Sequence, residues 1–220
     1  MNETIEIIRS EFAQASFETF EMVLISMVAA AVVGTILGLV LHLTSNPMFY
    51  KNRIVNGIAG TIVNIIRSMP FIILIIVLIP FSRIIVGTSI GAIAASVSLS
   101  IASIAFFARL VEGAFSEVDK GVVEAAIATG ASIPLIIRKV LFVEAMPALI
   151  RALTVTFVSI IGYSAMAGAV GGGGIGNLAI MYGYNRYETG VLLFTVIVLI
   201  IIVQLGQWIG DKIALAVTRK

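Results

Sequence analysis

The chain has 220 residues, 60% of them hydrophobic and 12% charged, with a mean hydropathy of +1.12. A soluble domain carries about 25% charged residues, so most of this chain is expected to lie out of water. The lack of cysteine excludes disulfides and thiolate metal sites, the single histidine, His42, cannot build a histidine metal cluster, and a net charge of +2 is too small to imply nucleic acid.

Residues 1–21 carry Glu3, Glu6, Glu11, Glu18 and Glu21 against one cation, Arg9. That is the reverse of a basic signal-peptide start, and it predicts an extracytoplasmic amphipathic segment ahead of a retained first span. A helix needs about 20 apolar residues to cross the hydrocarbon core. Five stretches meet this: Met22 to Leu43, Ile58 to Phe81, Ile84 to Ala108, Ala148 to Ala169 and Gly190 to Ile209. They are long and continuous and do not alternate at period two, so the fold class is an all-α integral membrane protein rather than a barrel. The membrane domain is residues 22–209. Gly34-x3-Gly38, Gly87-x3-Gly91 and Gly206-x3-Gly210 match a pattern that allows close helix contact, including contact across a two-fold interface.

Arg67 lies about nine residues into the second span, roughly 14 Å deep. An intramembrane arginine is a functional hypothesis by default. Its neighbours Asn64, Ser68 and Pro70 point to irregular or packed backbone. The pattern favours a structural role, in which Arg67 reaches the membrane surface or caps carbonyls freed by Pro70.

Residues 109–147 form the one long polar interruption. Ser116-Glu117-Val118-Asp119 fits a capping box that starts a short helix, and Gly130 is placed to end it in a left-handed conformation. A second helix from Ser132 tolerates Pro134 in its first turn. Its Ile133, Ile136, Ile137, Val140 and Leu141 share one face, with Arg138 and Lys139 off it. Pro147 is positioned to break the chain before the fourth span. On pattern alone, such a loop could also be an interfacial anchor.

The fourth span carries Thr154, Thr156, Ser159, Tyr163, Ser164 and Met166, hydroxyls and a thioether suited either to a weak substrate site or to helix packing. Gly171, Gly173 and Gly176 satisfy Gly-x-Gly-x-x-Gly, but after a membrane span and without the acidic residue a dinucleotide fold needs; the run reads as a flexible external turn. Residues 210–220 form a short basic tail.

Lysine and arginine set the orientation. With the N-terminus outside, 10 cations (Lys51, Arg53, Arg109, Lys120, Arg138, Lys139, Arg151, Lys212, Arg219 and Lys220) fall inside, and 3 (Arg9, Arg83 and Arg186) fall outside. The expectation is N-out and C-in, with loop 109–147 between spans 3 and 4 in the cytoplasm. No Walker A pattern occurs, so an ATP-driven process needs a partner to bind nucleotide. Every Asp and Glu is expected in the N-terminal segment, a loop or the tail, which argues against proton or sodium coupling within this chain.

Glu124-Ala125-Ala126, three residues, then Gly130 resembles the EAA loop of ABC importer permeases. The Leu-Pro that follows in the family is Phe142-Val143 here. Arg67 to Leu74, Phe81 to Gly91, Gly162 to Gly171 and Ala216 to Lys220 look like the methionine-type branch. The resemblance implies a permease subunit that is not itself an enzyme and binds no cofactor. Its loop residues Glu124, Ala125, Ala126, Gly130, Ile133, Ile137 and Val140 would couple it to ATP-binding subunits holding ATP and Mg. It further implies a homodimer in a bacterial cytoplasmic membrane, two such ATP-binding subunits, an extracytoplasmic methionine-binding protein, and L- and D-methionine as cargo. Arg67, Ser159, Tyr163, Ser164 and Met166 are the candidate path residues. Another small metabolite as cargo, a self-sufficient channel or secondary carrier, and a scaffold without transport are the alternatives.

Overall fold

The structure is a computed structural model and describes residues 2–218. Arg219 and Lys220, counted above in the tail and in the resemblance, lie outside the described residues. Helices account for nearly all of what is described. α1 (Asn2–Ala29) passes through a π-helical turn at Ala30–Gly34 into α2 (Thr35–Ser45), with helical backbone at both junctions. The acidic start is helical and runs without interruption into the helix that carries the expected first span.

The expected second span is not a single helix. α3 (Arg53–Ser68) and α4 (Phe71–Val86) meet at a bend of 113°. Proline is the cause. Its ring disfavours helical backbone at the residue before it, and Met69 is extended at φ −82°, ψ 132°. Pro70 then opens α4 as its N-cap. A second proline, Pro80, sits inside α4 without ending it.

α4 ends at Gly87 (φ 78°), and a turn to Gly91 (φ 96°) leads into α5 (Ala92–Ser116). The expected span from Ile84 thus begins at Ala92, and Gly87 and Gly91 are turn residues with positive φ rather than a packing pair. The other two glycine pairs pack within the chain. Gly34 and Gly38 lie against Phe107 and Val111 of α5, and Gly206 and Gly210 lie against Phe157 and Thr154 on the next long helix.

α5 is the centre of the bundle. α1, α2, α3 and α4 all pack on it. Its C-terminal half carries Arg109, which was expected at the start of the loop, inside the helix. The guanidinium donates to the Gly60 carbonyl (3.1 Å) and to Asn64 Oδ1 (3.0 Å) of α3, and pairs with Glu112 at 2.6 Å. Glu112, also expected in the loop, is likewise helical. The true interruption begins at Glu117.

α6 (Lys120–Ala128) and α7 (Ile133–Ile136) follow. α7 runs through a π-helical turn at Ile137–Leu141 into α8 (Phe142–Gly168) with no break at Pro147, which is accommodated inside α8. α9 (Gly174–Leu178) passes through a π-helical stretch, Ala179–Tyr184, and α10 (Thr189–Thr218) closes the described chain. The expected tail from residue 210 is a continuation of α10, with Lys212 stacked 5.1 Å over the Trp208 ring.

Among the described residues, three helices are long and apolar enough to cross a membrane: Glu3–Ser45, Ala92–Ser116 and Thr189–Thr218. The bent pair Arg53–Ser68 and Phe71–Val86 qualifies as a fourth if taken together. α8 occupies the expected fourth span.

The glycine turn after α8 is pinned rather than loose. Glu18 Oε2 accepts from the N–H of Gly174 (2.7 Å) and Thr19 Oγ1 from that of Ile175 (2.8 Å), while Gly91 N–H donates to the Gly171 carbonyl (2.9 Å). Gly173 (φ 75°) and Gly174 (φ 80°) permit this path because they carry no Cβ.

Candidate coupling surface and membrane path

α6 starts at Asp119, not at Ser116. The Asp119 carboxylate accepts from the N–H groups of Gly121 (2.7 Å) and Val122 (3.3 Å). Ser116 is still inside α5, its hydroxyl donating to the Glu112 carbonyl (2.7 Å). The cap was legible, since Asp is among the preferred N-cap residues. Asp119→Ala is expected to destabilise α6 by about 1 kcal/mol, read as faster hydrogen exchange of its amides.

α6 stops where expected. Gly130 has φ 79°; its N–H donates to the Ile127 carbonyl (2.9 Å), and that of Ala131 donates to Ala126 (3.2 Å). These bonds satisfy the last carbonyls of the helix and turn the chain into α7 within four residues.

One side of α6 is anchored and the other is open. Val123 is buried against Phe49 and Ile136, with Ala126, Ile133 and Val140 packed beside it. Glu124, Ala125 and Gly130 are exposed, and Val122 and Ile127 are each 42% exposed. Ile136 and Leu141 are buried while Arg138 and Lys139 are exposed, as the face pattern predicts. Ile137 is half-buried. Val123 and Phe49 are the residues that sequence reasoning missed, and a lone valine and a distant phenylalanine gave no local signal.

α6 joins α8 through the fixed Gly130 turn and α7, and joins the end of α2 through Phe49. α8 runs without a break from this end into the bundle. α6 is thus linked to α8 by the Gly130 turn, α7 and a π-helical turn.

The five candidate path residues separate in the structure. Arg67 and Tyr163 line one cavity of about 180 Å³, with Phe71 stacked on Tyr163 at 4.6 Å. Ser159 and Met166 lie with Val155 and Gly162 on one stripe of α8 left largely uncovered by the chain's own helices, Met166 being 48% exposed. Ser164 does not belong with either group. It is buried, and its hydroxyl donates to the Ile161 carbonyl (2.8 Å), which completes its bonding inside the bundle. The expected capping of free carbonyls by Arg67 is absent among the described residues; its side chain is exposed and makes no hydrogen bond there.

Residues 30–219 match the model of the binding-protein-dependent transport system inner membrane component family. The chain belongs to this family. It is 46% identical over 199 residues to a probable D-methionine transport system permease protein, MetI, of Vibrio cholerae, covering 90% of this chain and 88% of that one. It is 49% identical over 173 residues to the methionine import system permease protein MetP of Bacillus subtilis, covering 79% and 78%. Among solved structures it is similar to a chain of the MetNI methionine ABC transporter in an inward-facing conformation. There the TM-score is 0.90 and the identity 43%, over 94% of this chain and 95% of that chain. The all-helical, membrane-embedded class read from composition and the EAA-loop resemblance both stand. The protein is a transport-system component of an inner membrane.

Proposed function

We propose that this chain is the permease subunit of an ATP-driven methionine importer, taking L- and D-methionine. The supporting observation is the 46% identity to a methionine-transport permease across nine-tenths of the chain. In this reading the chain crosses the membrane five times, N-out and C-in, and two copies form the path. Two ATP-binding subunits dock on the open face of α6 and hydrolyse ATP with Mg, and an extracytoplasmic methionine-binding protein delivers cargo at the opposite end. Residues Glu124, Ala125, Ala126 and Gly130 meet the ATP-binding subunit, while Ile133, Ile137 and Val140 carry its motion into α8.

The physical case for division of labour rests on the residues themselves. The sequence carries no Walker A pattern, and its exposed small-residue helix gives a partner close access. Uptake of labelled methionine by transport-deficient cells expressing the whole complex is the test. Uptake that requires ATP and all three components is expected. Uptake of another solute with none of methionine would overturn the cargo, and transport by the purified chain alone in liposomes would overturn the coupling.

A further inference from the structure

The break between α3 and α4 places an arginine, two helix ends and an aromatic-lined cavity at one point. Gly60 of α3 lies beside Arg109 of α5, and Val63 packs with Leu41 and Ala105, so α3 climbs along α5 as it approaches the break. Arg67 lines the same cavity as Ala102 and Phe106, which lie near the middle of Ala92–Ser116. This is mid-span, where a charged group must face a partner or a polar path. Arg67 has no hydrogen-bond partner among the described residues, and neither does the Tyr163 hydroxyl, although both line the same cavity of about 180 Å³.

The backbone adds to the positive character. Pro70 accepts from the N–H groups of Ile73 and Leu74, so those of Phe71 and Ile72 begin α4 without a carbonyl partner. They form the positive end of a 16-residue helix that begins four residues after Arg67 in the chain. The last carbonyls of α3 end at the same break and offer acceptors. Discontinuous membrane helices use such paired ends to hold charged groups of a substrate. The remaining walls are apolar and soft: Met69, Phe71 and Phe106.

We propose that this break is a transient binding site for a zwitterionic amino acid with an apolar thioether chain. Arg67 and the first N–H groups of α4 take the carboxylate, the final α3 carbonyls take the ammonium, and Met69, Phe71 and the stacked Tyr163 take the side chain. Sulfur against aromatic edges is a favourable contact. The assignment rests on the methionine reading above. It replaces the structural role that the sequence pattern favours for Arg67.

The test uses the assembled complex with its ATP-binding subunits and binding protein in proteoliposomes. A photoreactive diazirine analogue of methionine, activated during turnover, is expected to label peptides carrying Met69, Phe71 or Tyr163, and its carboxamide is not. Arg67→Gln is expected to lower uptake at least 10-fold with assembled complex still recovered, and Arg67→Lys to restore part of it. If the wild-type complex imports no methionine, the functional reading fails and the site falls with it. If it imports methionine while Arg67→Gln is undiminished, or while labelling stays away from these peptides, the site alone is overturned. Loss of the complex in Arg67→Gln, rescued by Arg67→Lys but still without labelling here, would make Arg67 a contact between copies and would also overturn the site.

Discussion

Gly130→Pro is expected to abolish coupled uptake while the membrane bundle remains folded. Gly130 holds φ 79°, which proline, fixed near −65°, cannot adopt. Proline also removes the N–H that donates to Ile127. The last turn of α6 and its junction with α7 must then rearrange, at a local cost of about 3 kcal/mol or more. The damage is confined, because nothing lies within 4 Å of where a Cβ at Gly130 would sit. Gly130→Ala should do less, since left-handed backbone costs a residue with a Cβ about 1–2 kcal/mol.

Glu124→Arg tests the same surface without touching the turn. Glu124 is exposed and makes no hydrogen bond to the described residues, so reversing its charge leaves the fold unchanged and would act on the proposed docking of the ATP-binding subunit. Labelled methionine uptake and substrate-stimulated ATP hydrolysis should both fall at least ~10-fold in Gly130→Pro, the effect of about 1.4 kcal/mol of lost productive docking. Undiminished transport in both variants would remove α6 from the coupling path.

The second large effect lies within the bundle. Gly38→Leu is expected to unseat α2 from α5. A Cβ at Gly38 would stand 2.6 Å from Val111 Cβ and close on the Ala108 carbonyl, and Val111 is fully buried with no space to yield. Overpacking of this kind costs about 1–3 kcal/mol or more, which would lower the thermal midpoint of the purified protein by roughly 2–12 °C. Gly57→Ala is the control with the opposite sign. Gly57 faces open space in α3, and alanine there should stabilise the helix by about 0.8–1 kcal/mol. Equal midpoints for the two variants would show that the close approach at Gly38 contributes nothing.

Sequence legibility differed by element. The Asp119 cap and the Gly130 stop depend on groups within a few residues, and the chain itself carries both, although Ser116 drew the start of α6 too early. The helix-breaking effect of Pro70 was equally local, yet hydropathy ran straight through it, because apolarity does not report direction. Pro147, which was expected to break the chain before the fourth span, does not. It falls within the first two turns of α8, behind a π-helical turn that already shifts the hydrogen-bond register. Glu112 and Arg109 were assigned to a loop because charge ends an apolar window; their mutual pairing and the α3 carbonyl let α5 carry them.

What the sequence determined by itself is the class and the punctuation: a membrane protein of apolar helices, and one polar interruption with a capped and glycine-stopped helix. These follow from transfer energies and backbone sterics that each residue carries wherever it goes. The tertiary structure alone decided which glycines bring helices together, which hydroxyls face inward, that Glu18 and Thr19 hold the Gly173–Gly174 turn, and that Arg67 and Tyr163 line one cavity. Those are choices between helix faces far apart in the chain. A glycine or an unpartnered arginine does not itself specify its neighbour, so the choice waits on how the whole bundle packs around α5.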